Sequence, residues 1–319
     1  MPLRILFCGS PEFALPSLRA LAAAKDISIE AVITQPDRPR GRGQETASPP
    51  VKEFALGADL RVFQPEKIKS ESAQAFIEKV APDAIVIIAY GQIIPARLIE
   101  IPRLGWINVH ASLLPKYRGA APIQWALMRG ETRTGVTTMR IDAGLDTGPM
   151  LEKTEIGIAT DETAPELSRR LADAGAPLIV NTLRKLERGE ITPEAQDSSK
   201  ATLAPPLKKE DGRIDWSQSS REIYNRIRGL EPWPGAHTTF RGQSVEIWGR
   251  PAERDDDAKR AGATLAPGSL RAEGKDIYVA AGGGTWLLLS EVRMEGRKRT
   301  SARDFANGAR LKPGDAFGS

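Results

Sequence analysis

Two polar side chains with complementary chemistry stand two residues apart at the end of an apolar stretch: Asn108 and His110. On a β-strand, residues i and i+2 project from the same face, so both side chains can reach one ligand atom. An imidazole can move protons near neutral pH, and a carboxamide N–H can donate to an oxygen that becomes negative. The pair therefore predicts an active site. The alternative is a capped strand-end histidine beside a turn asparagine.

A third candidate, Asp146, lies in the segment Asp142–Gly148, which follows another apolar run. The glycines of this segment allow the backbone to approach a ligand closely. If Asp146 faces His110, its carboxylate can fix the orientation of the ring. Asparagine, histidine and aspartate without a metal or an activated nucleophile fit the transfer of a carbonyl carbon to an amine.

The elements that must position these groups form an α/β pattern over the first 190 residues, where β-branched runs alternate with helical segments. The run Ala84–Ala89 has no polar alternation, which predicts a strand buried on both faces of a mostly parallel sheet. Asn108 and His110 lie at the carboxyl end of a strand, where such sheets bind ligands. We predict strands at 3–8, 27–34, 84–89, 105–110 and 136–141, and helices up to 24, at 72–80 and at 164–186.

The stretch 36–50 contains four prolines and three arginines, Arg38, Arg40 and Arg42, but no apolar periodicity. It is too polar to pack and long enough to project, so we predict an exposed basic loop. Solubility alone is the simpler explanation of such a loop.

The pattern changes after a segment rich in Pro, Ser, Thr and Ala at 191–206, which we interpret as an interdomain linker. Short strands separated by Gly and Pro turns follow at 207–319 and predict a small β-barrel. Its four tryptophans could stack on bases, although tryptophans in a small barrel more often fill the core.

Composition excludes several classes of protein. The apolar runs are too short for a membrane helix, and no secretory signal precedes Ile5, so we expect a cytoplasmic protein. A single cysteine excludes an internal disulfide, and two histidines make a zinc site implausible. Residues 1–200 carry 25 basic and 25 acidic side chains, whereas 201–319 carry 20 and 16. The surplus suggests a polyanionic partner or ordinary surface scatter.

Longer motifs extend over nearly the whole chain. The N-terminal motifs are Gly9-Ser10-Pro11-Glu12-Phe13, Ala89-Tyr90-Gly91, Asn108-Val109-His110-Ala111-Ser112-Leu113-Leu114-Pro115, Arg118-Gly119-Ala120-Ala121-Pro122 and Gly144-Leu145-Asp146-Thr147-Gly148. The second half of the chain contributes Ile214-Asp215-Trp216 and Pro232-Trp233-Pro234-Gly235. Together these motifs resemble the folate-dependent formyltransferases, most closely those that act on methionyl initiator tRNA.

The resemblance implies a Rossmann-like formyltransferase domain at 1–190, followed by an OB-like barrel at 207–319 that binds tRNA. It also implies 10-formyltetrahydrofolate as donor, the methionine α-amino group of initiator tRNA as acceptor, no metal, and a monomer. Its catalytic Asn, His and Asp fall on Asn108, His110 and Asp146. Folate contacts are expected from Ile88, Tyr90, Gly91, Ser112, Leu113, Leu114, Pro115, Asp142 and Gly144.

In the resembling enzymes a loop corresponding to 36–50 enters the tRNA acceptor stem, which assigns Arg38, Arg40 and Arg42 to tRNA. This sequence departs from their pattern because Gln44-Glu45-Thr46 replaces the usual lysines. Basic side chains of the second domain can neutralise phosphates without reading sequence. We assign Lys208, Arg297, Lys298, Arg299 and Arg303 to this role.

Two other function classes stay open. A formyltransferase that acts on a small amine would share the three catalytic residues but would not need the basic loop. A non-catalytic RNA-binding protein would not need Asn108, His110 and Asp146 together.

Overall fold

The computed structural model describes residues 1–40, 45–252 and 265–318. The described chain forms two compact units. The first consists of Met1–Pro122, Arg133–Ile158 and Glu166–Pro205, and the second consists of Ile123–Thr132, Ala159–Pro165 and the described residues from Pro206 onward. The continuous domain ranges stated above stay a prediction.

The strands of the first unit are β1 (Leu3–Gly9), β2 (Ile27–Ile33), β3 (Arg38–Arg40), β4 (Glu45–Ala47), β5 (Val62–Phe63), β6 (Ala84–Ile88), β7 (Trp106–His110), β8 (Arg133–Arg140) and β9 (Met150–Gly157). Seven of the described strands form one sheet in the order β5-β2-β1-β6-β7-β8-β9, and β3 pairs with β4 in a separate hairpin. The strands from β5 to β7 are parallel, whereas β8 is antiparallel to both of its neighbours. The expected mostly parallel sheet is confirmed.

The helices up to residue 187 are α1 (Leu15–Ala23), α2 (Pro50–Gly57), α3 (Glu71–Val80), α4 (Ala96–Ile99), α5 (Pro122–Met128) and α6 (Ala164–Glu187). Ser70 begins α3 by accepting from the backbone N–H of Ala73. Ile77 of α3 packs with Leu6 and Ile85 on one face of the sheet. On the other face Gly175 of α6 approaches Val109 so closely that a Cβ would lie 3.0 Å from its Cγ1. The sheet is therefore covered on both faces, as expected.

The second unit contains α7 (Ser220–Gly229), β10 (His237–Phe240), β11 (Gln243–Pro251), β12 (Leu270–Glu273), β13 (Asp276–Ala280), β14 (Trp286–Met294), β15 (Thr300–Ser301) and α8 (Ala302–Ala309). The strands form an antiparallel sheet in the order β10-β11-β14-β13-β12, with β15 on β14. The segment 315–318 joins its two edges, because Phe317 bridges Phe240 and Ala316 bridges Ser269. This closure gives the expected small barrel.

The tryptophans of the barrel have different environments. Trp216 is buried and stacks on Phe317 at a ring distance of 5.6 Å, and Trp248 packs at the edge of the core. Trp233, in contrast, is 57% exposed. Core packing therefore accounts for Trp216 and Trp248 but not for Trp233.

The structure adds detail to two sequence expectations. The described residues of the stretch 36–50 include the paired strands β3 and β4 and the first residue of α2. In the segment 191–206, interpreted as a linker, Glu194 pairs with Met150 and Leu203 pairs with Arg118, and both pairs lie within the first unit. In the described ranges no helix is long and apolar enough to cross a membrane.

Candidate active site

The three predicted catalytic side chains come together. Oδ1 of Asp146 lies 3.5 Å from Nδ2 of Asn108, and its Oδ2 lies 3.7 Å from Nδ1 of His110. His110 is buried, with 6% of its side chain exposed, and Asp146 is 18% exposed. A carboxylate thus faces both a carboxamide and an imidazole in a site that is largely shielded from water.

Asp146 reaches the site by an unexpected path. Because β8 runs antiparallel to β7, Arg140 at the end of β8 pairs with Ile107, and Thr137 pairs with His110. The segment after β8 therefore leaves the sheet toward the start of β7. It must fold back along the face of β7 to bring Asp146 to Asn108 and His110.

Backbone groups of one short segment hold both ionisable side chains. The carbonyl of Tyr117 lies 2.9 Å from Nε2 of His110, and a carbonyl can only accept, so Nε2 carries a hydrogen and donates. Two residues further along, the N–H of Gly119 donates to Oδ2 of Asp146 at 2.9 Å. The remaining ring nitrogen, Nδ1, faces the carboxylate of Asp146.

The turn that carries Asp146 is fixed internally. Asp142 accepts from the backbone N–H of Gly144 at 3.0 Å and from the hydroxyl of Thr147 at 2.7 Å. Asp146 itself has a φ of +50°, in the left-handed region. Gly148 has no room for a side chain, since a Cβ would lie 1.9 Å from the carbonyl oxygen of Arg140. Asp142 and Gly144, predicted to contact folate, therefore also shape the turn.

The first group of predicted folate residues lies at the end of β6 and directly after it. The strand order reverses between β1 and β6, and open parallel sheets bind ligands at such a point. Ile88 and Tyr90 are buried, whereas Gly91 is exposed and has a φ of +81°. The side-chain amide of Gln35 donates to the carbonyl of Tyr90 at 2.9 Å and fixes this segment. Burial raises the pKa of the Tyr90 phenol, which stays protonated at neutral pH.

The second group, Ser112–Pro115, forms a braced loop. The hydroxyl of Ser112 donates to the carbonyl of Lys116 at 2.6 Å. Thr137 donates to the carbonyl of Ser112 and accepts from the N–H of Leu114. Leu114 is buried against Met139 and Met150, and Leu113 and Pro115 are half-buried. Their folate contacts stay a prediction.

Sequence reasoning missed a set of hydrogen-bonded glutamines that follow β2, β5 and β6. Gln92 donates to the side-chain oxygen of Gln35 at 3.3 Å and accepts from the N–H of Ile68 at 2.7 Å. Gln64 donates to the carbonyl of Gln35 at 2.9 Å and to Asp37 at 2.8 Å. The sequence signal that could have identified them is that a glutamine follows each of these three strands within a few residues.

Large apolar side chains are exposed beside the predicted folate segments. Ile93, two residues after Gly91, is 91% exposed, and Leu145, next to Asp146, is 65% exposed. Exposed apolar side chains of this size, beside segments that are predicted to bind folate, can pack against a flat aromatic ring.

The predicted tRNA residues lie on exposed surfaces where they are described. Arg38 is exposed on β3, and the side chain of Arg40 in the same strand is not described. Arg42 lies outside the described residues. In the second unit the predicted residues are all exposed, namely Lys208, Arg297, Lys298, Arg299 and Arg303.

The second unit has a groove of about 540 Å³ in which basic side chains outnumber acidic ones. Arg299 stacks on the ring of Trp248 at 3.8 Å and is ion-paired with Glu291, so its charge is partly neutralised. The groove also contains the carboxylates of Glu231 and Asp276, while its cations are Arg228, Arg250, Lys275, Arg299 and Arg303.

Across residues 1–40, 45–252 and 265–318, no group of three or more His, Cys, Asp or Glu side chains could hold a metal ion. In the candidate active site two residues of these types, His110 and Asp146, lie next to each other.

Two family models match the chain. One, described as formyl transferase, matches residues 3–183, and the other, the formyl transferase C-terminal domain, matches residues 206–310. The chain is 55% identical to a methionyl-tRNA formyltransferase of Solibacter usitatus, with 99% of each chain covered. It is 53% identical to one of Koribacter versatilis, with 98% of each covered.

Solved structures share the fold at low identity. A sugar 3N-formyltransferase, WlaRD, crystallised with dTDP and 5-N-formyl-THF, is 17% identical with a TM-score of 0.66, covering 93% of this chain and 100% of that one. HypX from Aquifex aeolicus in complex with tetrahydrofolic acid is 16% identical with a TM-score of 0.61, covering 96% of this chain and 47% of that one. The family resemblance seen in the motifs is confirmed, and this chain belongs to the formyl transferase family.

Proposed function

We propose that this protein transfers the formyl group of 10-formyltetrahydrofolate to the α-amino group of methionine on initiator tRNA, in support of translation initiation. The observation that carries the proposal is the convergence of Asn108, His110 and Asp146 within 3.5 to 3.7 Å. The name of the relatives that are 55% and 53% identical over nearly the whole chain supports the same acceptor.

A reduced folate donor is supported by the segments around the site. Ile93 and Leu145 offer apolar surface to a pterin ring, and the exposed backbone at Gly91 offers polar groups to its edge. We assign the donor contacts to Ile88, Tyr90, Gly91, Ser112, Leu113, Leu114, Pro115, Asp142 and Gly144. Two structural neighbours were crystallised with tetrahydrofolic acid and with 5-N-formyl-THF, which agrees with this class of donor.

The proposed reaction begins when the neutral methionyl amine attacks the formyl carbon. One N–H of Asn108 points toward Asp146, and the second is available to the oxygen that becomes negative in the tetrahedral intermediate. Nδ1 of His110 takes the proton lost by the amine, directly or through a water. The adjacent carboxylate of Asp146 stabilises the imidazolium that forms. The proton then passes to N10 as the bond between N10 and the formyl carbon breaks, which releases tetrahydrofolate.

The tRNA part of the proposal is supported by charge. Arg38 is exposed on β3. The barrel has a groove with five basic and two acidic lining residues, and Arg297 and Lys298, which precede its lining residue Arg299 in the sequence, are exposed. Such cations can neutralise RNA phosphates. We extend the proposal to Arg40, Arg42, Lys208 and Arg303, to a cytoplasmic location and to a monomer.

The test is incubation of the purified protein with 10-formyltetrahydrofolate labelled in the formyl group and three acceptors. The acceptors are methionyl initiator tRNA, methionyl elongator tRNA and an amino-sugar nucleotide. We expect label on the initiator tRNA alone. Label on the sugar nucleotide alone would support the small-amine class instead, and no label on any acceptor would contradict a formyl transfer activity of this kind.

A further inference from the structure

The segment Glu194–Ala204, which the sequence presents as part of a linker, lies along the catalytic loops; we name it the strap. Most of its side chains are exposed, and Gln196 is the one half-buried residue between Glu194 and Lys200. A half-buried amide in an otherwise exposed stretch indicates that this side chain makes specific contacts with the protein.

Both polar atoms of the Gln196 side-chain amide are hydrogen-bonded. Its NH₂ group donates to the carbonyls of Asp146 and Gly148, both at 2.8 Å. Its side-chain oxygen accepts from Nε of Arg118 at 2.9 Å. The partners fix the orientation of the amide, because carbonyls can only accept and a guanidinium can only donate. Gln196 therefore ties the turn that carries Asp146 to the segment that contains Arg118.

The same segment is bound to the strap through its backbone. The N–H of Arg118 donates to the carbonyl of Thr202 at 2.8 Å, and the N–H of Ala204 donates to the carbonyl of Arg118 at 2.8 Å. The hydroxyl of Thr202 accepts from the N–H of Tyr117 at 2.9 Å. Gly119 packs so tightly here that a Cβ would lie 2.6 Å from the carbonyl oxygen of Ala204.

These contacts flank the two backbone groups that hold the ionisable pair. Tyr117 supplies the carbonyl bound by His110, and Gly119 supplies the N–H bound by Asp146. Asp146 also has a left-handed φ, a conformation that is unfavourable for a residue other than glycine and persists where its surroundings impose it. The bond from Gln196 to the Asp146 carbonyl is one such constraint.

We propose that Gln196 is a positioning residue for the formyl transfer reaction, which holds the Asp146 carboxylate against Asn108 and His110 through the strap. The expected effect of Gln196 on kcat rests on the proposed function, whereas its role in holding the turn that carries Asp146 does not. The strap acts on the catalytic site through Gln196 and through the bonds of Thr202 and Ala204, and no strap side chain needs to touch either substrate.

The kinetic test compares Gln196→Ala and Gln196→Met with Ser198→Ala, which replaces an exposed residue of the same strap. A small misplacement of a catalytic group can cost about 100-fold in rate. We expect kcat to fall about 10- to 100-fold in both Gln196 variants, with the KM for each substrate within about twofold of wild type and Ser198→Ala unchanged. An unaltered kcat in both Gln196 variants would overturn the proposal.

A double-mutant cycle separates positioning from general stabilisation. If Gln196 acts through the carboxylate, adding Gln196→Ala to Asp146→Asn should change the residual kcat by less than about twofold. If the two residues act independently, their effects multiply. A multiplicative result would overturn the proposal.

Amide hydrogen exchange provides a readout that needs no substrate. In Gln196→Ala, the Gly119 N–H should lose protection, whereas the Val32 N–H, which donates to Arg61 in a different part of the sheet, should keep it. Unchanged protection at Gly119, or equal loss at both amides in both Gln196 variants, would contradict a local positioning role. If wild type transfers no formyl group, the proposed function fails, and the exchange comparison still decides the role of the strap.

Discussion

Gly119 donates its backbone N–H to the carboxylate of Asp146 at 2.9 Å while its own φ is +124°. Most L-residues avoid this conformation, and the carbonyl of Ala204 leaves no space for a Cβ. The same glycine thus satisfies three requirements: it binds the carboxylate, adopts a restricted conformation and packs against the strap.

We therefore expect Gly119→Ala to lower both stability and kcat. Backbone strain of this type costs about 1–3 kcal/mol, which denaturant unfolding would measure. The matched control is Gly189→Ala, because Gly189 has a φ of +69° but open space around a Cβ. Gly189→Ala should lose some stability and keep kcat. Equal kcat values for the two variants would show that the Gly119 contact is irrelevant to turnover.

Asn108→Ala should lower kcat about 100- to 1,000-fold, the usual cost of removing one donor to a developing oxyanion. The KM for the folate should change little, because the ground-state formyl oxygen needs this donor less than the intermediate does. Steady-state kinetics on the folded variant would measure both constants, with Asn307→Ala on the exposed face of α8 as control. A variant with wild-type turnover would remove Asn108 from the mechanism.

Arg297 and Lys298 are exposed, and within the described part of the chain neither has an ion-pair partner, unlike Arg299. Replacing both by Ala should weaken tRNA binding and reduce the slope of log K against log salt by about 1 for each phosphate that these side chains neutralise. Arg133→Ala with Arg188→Ala changes the net charge equally, but both of these arginines are already paired with Glu155 and Glu190. The same slope change in this control would indicate a net-charge effect rather than a local interaction.

Asp37, at the base of the β3–β4 hairpin, pairs with Lys52 at 2.5 Å and accepts from Gln64. The hydrogen bond from Lys52, followed by that from Gln64, lowers the pKa of Asp37 below its ordinary value of 3.8. A depressed folded-state pKa contributes stability above the unfolded value and loses it as the pH falls through the folded value.

Wild type should therefore melt at a higher temperature than Asp37→Asn at pH 7, and the difference should shrink below about pH 4. Lys52→Met removes the ion-pair partner of Asp37 and should show the same pH dependence of the melting difference. Thermal unfolding between pH 3 and pH 7 would test it, and a melting difference that stays constant down to pH 3 would contradict the assignment.

The sequence predicted the parts of the fold that depend on local pattern. The apolar run Ala84–Ala89 contains the fully buried strand Ala84–Ile88, and the helix expected at 72–80 forms over Glu71–Val80. Period-two spacing placed Asn108 and His110 on one face of β7, and the β-rich second half forms a barrel.

The sequence could not predict contacts that depend on long-range chain paths. Nothing local indicates that β8 is antiparallel to β7, and because of this orientation the segment after β8 must fold back along β7 to bring Asp146 to Asn108 and His110. Gln196 is 50 residues from the carbonyl it binds, in a stretch whose composition is typical of a linker. Closure of the barrel by Phe317 likewise depends on where the two sheet edges meet.

The strap also bears on how the protein should be divided for separate study. A fragment cut at residue 190, where the helical pattern ends, would discard Gln196 and the carbonyl of Thr202 and leave Arg118 and Asp146 without those partners. A fragment that ends at Pro205 retains every one of these bonds. A fragment that ends at residue 190 should therefore have a low turnover because it lacks these hydrogen bonds. This low turnover would be misread as evidence that catalysis depends on the barrel.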